Sequence, residues 1–218
     1  MALAIFDLDN TLLGGDSDHL WGEFVIEKGL VDPAAHKRQN DRFYQDYCNG
    51  TLDIHAYQRF ALAPLVGRDP HELAQWHREF MVRYIEPIIL PKGLATLENH
   101  RQAGDTLMII TATNAFVTRP IAERLGVPHL LATEPARDDE GRYTGDIVGT
   151  PTFQQGKVER LQEWLRQHDE TLQGSWFYSD SHNDIPLLET VDHPVAADPD
   201  DRLRLHAQQQ GWPIISFR

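Results

Sequence analysis

The chain opens on an uninterrupted apolar run, Leu3, Ala4, Ile5 and Phe6, and turns polar at Asp7. A run without polar alternation predicts a strand buried on both faces, as in a parallel sheet. The period then changes. Apolar and aromatic positions recur at spacings of three and four over His19 to Lys28, Asp32 to Cys48, Asp53 to Leu65 and His71 to Ile85, which predicts helices over about seventy residues. Gly29, Gly50 and the turn Gly67-Arg68-Asp69-Pro70 separate them. Asp32 with Pro33, and Asp69 with Pro70, read as helix N-caps followed by proline at the first helical position. Pro87 and Pro91 close the helical block.

Beyond Lys92 the two periods alternate. Helices are predicted around Gly93 to Ala103, from Ala115 to Leu125, from Gln154 to His168 and from Asp200 to Gln210. Between them fall strands at Thr106–Thr111, His129–Ala132, Ser175–Ser179, Pro194–Ala197 and Pro213–Phe217. Arg137 to Gly149 reads as a polar hairpin turning at Gly141, and Asp180 to Asp184 as an acidic loop before a short helix. Alternating strands and helices predict an α/β fold, a doubly wound, mostly parallel Rossmann-like sheet with an inserted helical unit. The expected division is a catalytic core of residues 1–15 and 87–218 and a helical cap of residues 16–86.

Composition narrows the partners. With 218 residues the chain can bury a sizeable core. Its 20 Lys and Arg against 33 Asp and Glu, a net charge of -13, argue against nucleic acid or an anionic membrane surface and favour cations and amine-bearing ligands. A single cysteine, Cys48, rules out an intrachain disulfide or a cysteine zinc cluster and fits a cytoplasmic address. No apolar run approaches the ~20 residues of a membrane helix, and Asp7 and Asp9 interrupt any signal-peptide core. A cytoplasmic monomer or homodimer is the expectation.

The candidate chemistry lies at predicted strand ends. Asp7 and Asp9 are two residues apart and project to the same side of an extended chain, at the sheet edge where α/β folds hold ligands. One carboxylate there can attack a phosphorus while the other handles the leaving group's proton, if a divalent cation suppresses their repulsion. An acidic turn after an ordinary strand would also produce the pair. Likewise Asp180 and Asp184 fit a helix N-terminus with an acidic first turn, Thr111 fits a β-branched strand end, and Arg160 and Arg166 compete with Lys157 as the local cation.

In order, Asp7-Leu8-Asp9-Asn10-Thr11, Thr111-Ala112-Thr113, Lys157 and Asp180-Ser181-His182-Asn183-Asp184 resemble the four signature motifs of the haloacid dehalogenase-like hydrolases. The phosphoserine-phosphatase-like branch is the nearest match, and the likeness covers the whole chain, the insert corresponding to a mobile cap. The resemblance implies a magnesium-dependent phosphomonoesterase. In it Asp7 is the nucleophile and becomes an aspartyl-phosphate, while Asp9 is the general acid and base. Mg2+ would be held by Asp7, the main-chain carbonyl of Asp9, and Asp180. Thr111, Ala112, Lys157 and Asn183 would bind the phosphoryl group, with Thr11 and Asp184 in support. His182 stands where the family carries a small residue, either as a substrate contact or as an exposed loop histidine.

The same resemblance bears on the substrate, a small-molecule phosphate ester. Asp16 stands nine positions after Asp7, where phosphoserine phosphatases carry an acid that binds the substrate ammonium. Their cap arginine, which clamps the substrate carboxylate bidentately, aligns with Ala61, so Arg59, Arg38 and Arg42 are the candidate replacements. Trp21, Phe24, Phe43, Tyr44, Tyr47 and Tyr57 are candidate walls for an imidazole, or simply cap core. The expectation is an amine-bearing ester, L-histidinol phosphate first and phosphoserine second, with phosphotransfer to an acceptor alcohol as a further activity. A catalytically silent phospho-ligand binding module is the reading from another class.

Overall fold

The computed structural model describes residues 2–218. The apolar run Leu3–Phe6 forms β1, every residue of it buried. It lies at the centre of one seven-stranded sheet with β2 (Thr106–Asn114), β3 (His129–Arg137), β4 (Tyr143–Val148), β5 (Trp176–Ser179), β6 (His193–Ala197) and β7 (Ile214–Ile215). The spatial order is β4-β3-β2-β1-β5-β6-β7. All neighbours are parallel except β4, which returns antiparallel on β3. Residues of β1 alternate between two hydrophobic clusters, Ala4 and Phe6 in one, Leu3 and Ile5 in the other. Helices α5 (Pro91–Ala103) and α6 (Ala115–Arg124) cover the first face, and α7 (Gln155–His168), α8 (Ile185–Leu188) and α9 (Asp201–Gln210) the second. This is the doubly wound sheet expected from the alternating periods.

The insert consists of α1 (Ser17–Glu27), α2 (Pro33–Asn49), α3 (Ile54–Leu62) and α4 (Pro70–Phe80), the last continuing as a wider turn through Ile85. Asp16, Asp32, Asp53 and Asp69 each accept main-chain N–H groups at a helix start. The two connections to the sheet run side by side. Leu13 pairs with Ile89, Gly14 N donates to Ile88 O at 2.7 Å, and Leu90 N donates to Leu12 O at 3.0 Å. Trp21, Phe24 and Phe80 pack together, and Trp21 meets Phe116 of α6 edge-on, so one apolar cluster runs from the sheet face into the insert. The β3–β4 hairpin reaches the insert as well, where Gly67 N donates to Tyr143 O at 3.1 Å.

Several boundaries differ from expectation, and β3 runs past Ala132 to Arg137. β2 continues past Thr111 to Asn114, with a register shift against β3 between Ile110 and Asn114 that displaces Thr111 to Thr113 from regular pairing. β7 stops at Ile215 because Asp198 takes the following residues, accepting Ser216 Oγ at 2.6 Å and Phe217 N at 2.9 Å. Among the described residues no helix is long and apolar enough to cross a membrane.

Candidate active site

Asp7 N donates to Tyr178 O at 2.9 Å, carrying β1 one residue beyond its last strand position. The chain then turns tightly: the N–H groups of Thr11, Leu12 and Leu13 converge on Leu8 O at 3.3, 2.9 and 3.0 Å. Asn10 takes φ 57°, a left-handed conformation that asparagine tolerates better than most residues. Asp7 and Asp9 thereby line one cavity at the carboxyl edge of the sheet.

Lys157 reaches this point from the first turn of α7. Its Nζ donates to Asp7 Oδ1 and to Asp184 Oδ2, both at 2.8 Å, and Ser179 Oγ donates to the same Asp184 oxygen at 2.7 Å. Lys157, Asp7 and Asp184 are only 3%, 6% and 2% exposed, which makes the triad an interior ion network and not a surface one. The backbone before it is tight. A Cβ on Gly156 would stand 2.1 Å from Pro151 O, so only glycine fits. Gln154 is held at φ 48°, ψ −119°, and its side-chain amide donates to Asn183 Oδ1 at 2.9 Å.

Electrostatics divides the two carboxyls of the first motif. Burial pushes Asp7 up to about 6, against the pull of Lys157. Burial opposes the charge of Lys157 too, but Asp184 and Asp7 outweigh it and hold the ammonium above the usual lysine range. Burial, and then the charge of Asp16, push Asp9 well above an ordinary carboxyl. Ser17 N at 2.7 Å and Thr113 Oγ1 at 2.8 Å fix its two oxygens. Both carboxyls are thus raised, but Asp7 has a cation partner in Lys157 and Asp9 has none among the described residues.

Thr111, Ala112, Asn183 and Asp184 line the same cavity as Lys157. Thr111 Oγ1 accepts Thr113 N at 3.2 Å, which leaves its own proton free to donate. The Ala112 carbonyl is already taken by Gln58 Nε2 at 3.3 Å and Thr133 Oγ1 at 3.2 Å, so a phosphoryl group would meet main-chain N–H groups here. Asn183 is tied on both sides, accepting from Gln154 and donating to Tyr47 O at 3.2 Å. One of its N–H bonds remains.

Asp180 lies in the adjoining groove, which shares Asn10, Tyr44 and Tyr47 with the cavity. Thr11 Oγ1 donates to its Oδ1 at 3.1 Å and accepts its main-chain N–H at 3.1 Å. Burial and the charges of Asp7 and Asp184 push Asp180 well up. None of the ion pairs among the described residues gives Asp180 a cation. Such a surplus of carboxylate oxygen suits a hard divalent ion. No three His, Cys, Asp or Glu side chains among the described residues gather into a metal site by themselves. The donor set is therefore carboxylates completed by main-chain carbonyl, water and ligand oxygens, which fits Mg2+ and not a zinc cage.

The far wall comes from the insert. Asp16 lines it, with Oδ1 capping α1 through Asp18 N and His19 N at 2.9 Å and Oδ2 left over. Phe43, Tyr44, Tyr47 and Tyr57 line it too, whereas Trp21 and Phe24 are insert core. The expectation for Arg59 is corrected. It is exposed and outside the cavity, because Tyr57 faces inward and a step of two residues turns roughly 200° around a helix. Arg38 and Arg42 are exposed on α2, and no arginine lines the cavity. His182 lines the groove of Asp180 and not this cavity, and its Nδ1 donates to Asp200 Oδ2 at 2.7 Å, which braces the loop.

The sequence reading gave no role to Ser17, Thr113, Asp18, Asn40, Gln58 or Gln154. Thr113 lay inside a quoted motif, and the alternation Asp16-Ser17-Asp18 was the available signal for a second acid. Gln154 offered none. Tyr47 closes the roof, its hydroxyl donating to Ser181 Oγ at 3.2 Å.

The chain resembles proteins of known name at full length. It is 47% identical over 219 residues to a histidinol-phosphatase of Neisseria meningitidis serogroup C (strain 8013), covering 99% of both chains. It is 32% identical over 220 residues to a phosphoserine phosphatase, SerB1, of Mycobacterium tuberculosis, covering all of this chain and 71% of that one. A crystal structure of a protein of unknown function from Bordetella pertussis Tohama I superposes with a TM-score of 0.93 at 46% identity, over 100% and 99% of the two chains. A substrate-bound phosphoserine phosphatase shares the fold, with a TM-score of 0.71 at 16% identity over 100% of this chain and 93% of that one. The family model of the haloacid dehalogenase-like hydrolases matches residues 4–189, which carry the aspartate pair, the buried lysine and the acidic loop, and the chain belongs to that family.

Proposed function

We propose that this chain hydrolyses L-histidinol phosphate through an aspartyl-phosphate on Asp7. The observation that carries the reading is the polarity of the cavity. Lys157 is the one cation among its lining residues, beside Asp7, while Asp16 and Asp18 stand among aromatic rings with no arginine for a substrate carboxylate. An ester with an ammonium and an aromatic ring but no carboxylate fits that surface, and phosphoserine does not. The full-length likeness to a protein named histidinol-phosphatase supports the same choice.

Asp7 attacks phosphorus with a carboxylate oxygen as the ester P–O bond breaks, and the Asp9 proton passes to the departing alkoxide to give the alcohol. A water then adds to phosphorus as Asp9 takes its proton. The acyl phosphate bond breaks, and orthophosphate leaves with Asp7 restored. Lys157 offsets negative charge shared by Asp7 and the phosphoryl oxygens, and Thr111 and Asn183 donate to those oxygens. Thr113 and Ser17 N hold Asp9 in line for both proton transfers. Mg2+, bound by Asp7, Asp180 and the Asp9 carbonyl, would supply charge stabilisation at the phosphoryl oxygens.

Orthophosphate release with Mg2+ tests the reading, by comparing kcat/KM for L-histidinol phosphate and L-phosphoserine. A histidinol phosphate preference of about 100-fold or more is expected, since phosphoserine would bring an unpaired carboxylate into an acidic site. Equal rates, or a phosphoserine preference, would overturn the substrate assignment. An Asp7→Asn enzyme that still released phosphate would overturn the mechanism.

A further inference from the structure

Asp18 has no part in the chemistry above, yet it is one of the least expected residues in the molecule. It occupies the first turn of α1, is 6% exposed, and lines the cavity. Its Oδ1 is wholly buried without a hydrogen-bond partner. A carboxylate placed only to complement a helix dipole has no need of burial, and this helix start is already capped by Asp16. An unpaired acid oxygen in the interior lowers stability unless something arrives to pair with it.

The surroundings indicate what arrives. Asp18, Asn40 and Tyr57 line both the main cavity and a small recess behind it. Asn40 is locked by donating to His19 Nδ1 at 3.0 Å, and it can approach α1 this closely because Gly22 lacks a side chain. Phe43 and Tyr57 meet edge-to-face, with ring centroids 5.3 Å apart, and give the pocket flat apolar walls. Burial and the nearby Asp16 push the Asp18 carboxyl up to about 7 against the pull of the Tyr57 hydroxyl, so the anion is disfavoured until a cationic or further N–H-bearing group comes beside it.

We propose that Asp18 is a specificity-determining residue, the acceptor for a ring N–H of the substrate's imidazole, in a subsite walled by Tyr57 and Phe43. This rests on the histidinol phosphate reading and deepens it. In that ester the amine and the ring hang from one carbon, the amine directly and the ring through a methylene. Two acids at the start of α1, the extended N-cap Asp16 and the first-turn Asp18, both line the cavity and match the two N–H-bearing groups that branch from that carbon.

The test compares L-histidinol phosphate with L-phenylalaninol phosphate, which keeps the amine, the phosphate and a flat ring but has no ring N–H. Wild-type enzyme is expected to favour the imidazole ester, and Asp18→Asn to reduce the ratio of kcat/KM values by about 30-fold, the scale of one charge-assisted hydrogen bond. Tyr57→Phe keeps the flat wall but removes the hydroxyl that supports the Asp18 anion, and should lower the same ratio several-fold. Ligand-free Asp18→Asn should unfold at an equal or higher urea concentration than wild type, since it relieves a buried unpaired anion. A ratio unchanged in Asp18→Asn, with reduced stability, would assign the residue to the helix alone and overturn the inference while leaving the function intact. Wild type preferring phosphoserine to both esters would overturn the function itself.

Discussion

Replacing Lys157 by methionine keeps the volume of the side chain and removes its charge from between two buried acids. The wild-type triad loses its only cation, leaving Asp7 and Asp184 facing each other at 6% and 2% exposure. Even with Lys157 present, a carboxyl at about 6 instead of 3.8 implies about 3 kcal/mol of folded-state penalty when Asp7 is ionised without metal. Breaking a buried pair by deleting one partner adds about 3–5 kcal/mol. The sign with pH follows from the direction of the shift. A carboxyl raised in the folded state leaves stability intact below its unfolded value, near 4, and withdraws it as pH rises through the folded value. Without Lys157 the folded value climbs further, so the deficit of Lys157→Met is largest at about pH 8 and shrinks toward about pH 5. Lys157 itself stays charged over that range and adds no slope. Urea unfolding of chelated protein, followed by tryptophan fluorescence, should show a midpoint lower by about 1.5 M at the higher pH, for an m-value of about 2–3 kcal/mol/M. A midpoint equal to wild type, or a deficit independent of pH, would refute the ion network as the centre of the site.

Thr113→Val removes the hydroxyl that fixes Asp9 Oδ2, so the carboxylate is no longer held in line to take the proton of the attacking water. Quenched-flow experiments should find the second step slowed by about 10-fold, with phospho-enzyme accumulating before steady state. Gln154→Gly relaxes a backbone conformation unfavourable to a side chain, and Tm should rise by about 2–4 °C, as expected for ~1 kcal/mol at this size. The same change frees Asn183, so KM for phosphate esters should increase several-fold in steady-state assays. Arg59→Ala should leave kcat/KM within about 2-fold, in keeping with a solvent-facing side chain; a large loss would restore the arginine clamp.

The fold was legible because its strands are apolar on both faces and its helices announce their ends. Leu3–Phe6 admits one reading, and aspartates stand at each start of the insert helices where the N-caps are observed. The phosphoryl end was legible through its motifs, Asp7 and Asp180 following β1 and β5 and Lys157, with Arg160 and Arg166 as its competitors, at the start of a helix. The far wall was not. Arg59 lies outside the cavity because closeness in sequence to Ala61 carries no rotational phase, and a helix position means nothing until its inward face is known. Beyond its charge and its place two residues after Asp16, Asp18 carries no signal in the sequence, since burial is a property of packing and not of the residue. Gln154 owes its role to a backbone angle that no pattern of apolar positions encodes.

The paired connection at Leu13 and Ile89 gives the insert a single narrow stem, with its incoming and outgoing ends already adjacent. A short turn could bridge them, so the catalytic sheet need not be rebuilt when another module is grafted there. What restricts such exchange is the apolar surface of Phe116 and its neighbours, which Trp21 now covers. Any replacement must bring its own greasy helix to lay over that patch, or the bared scaffold will aggregate before it can act on anything.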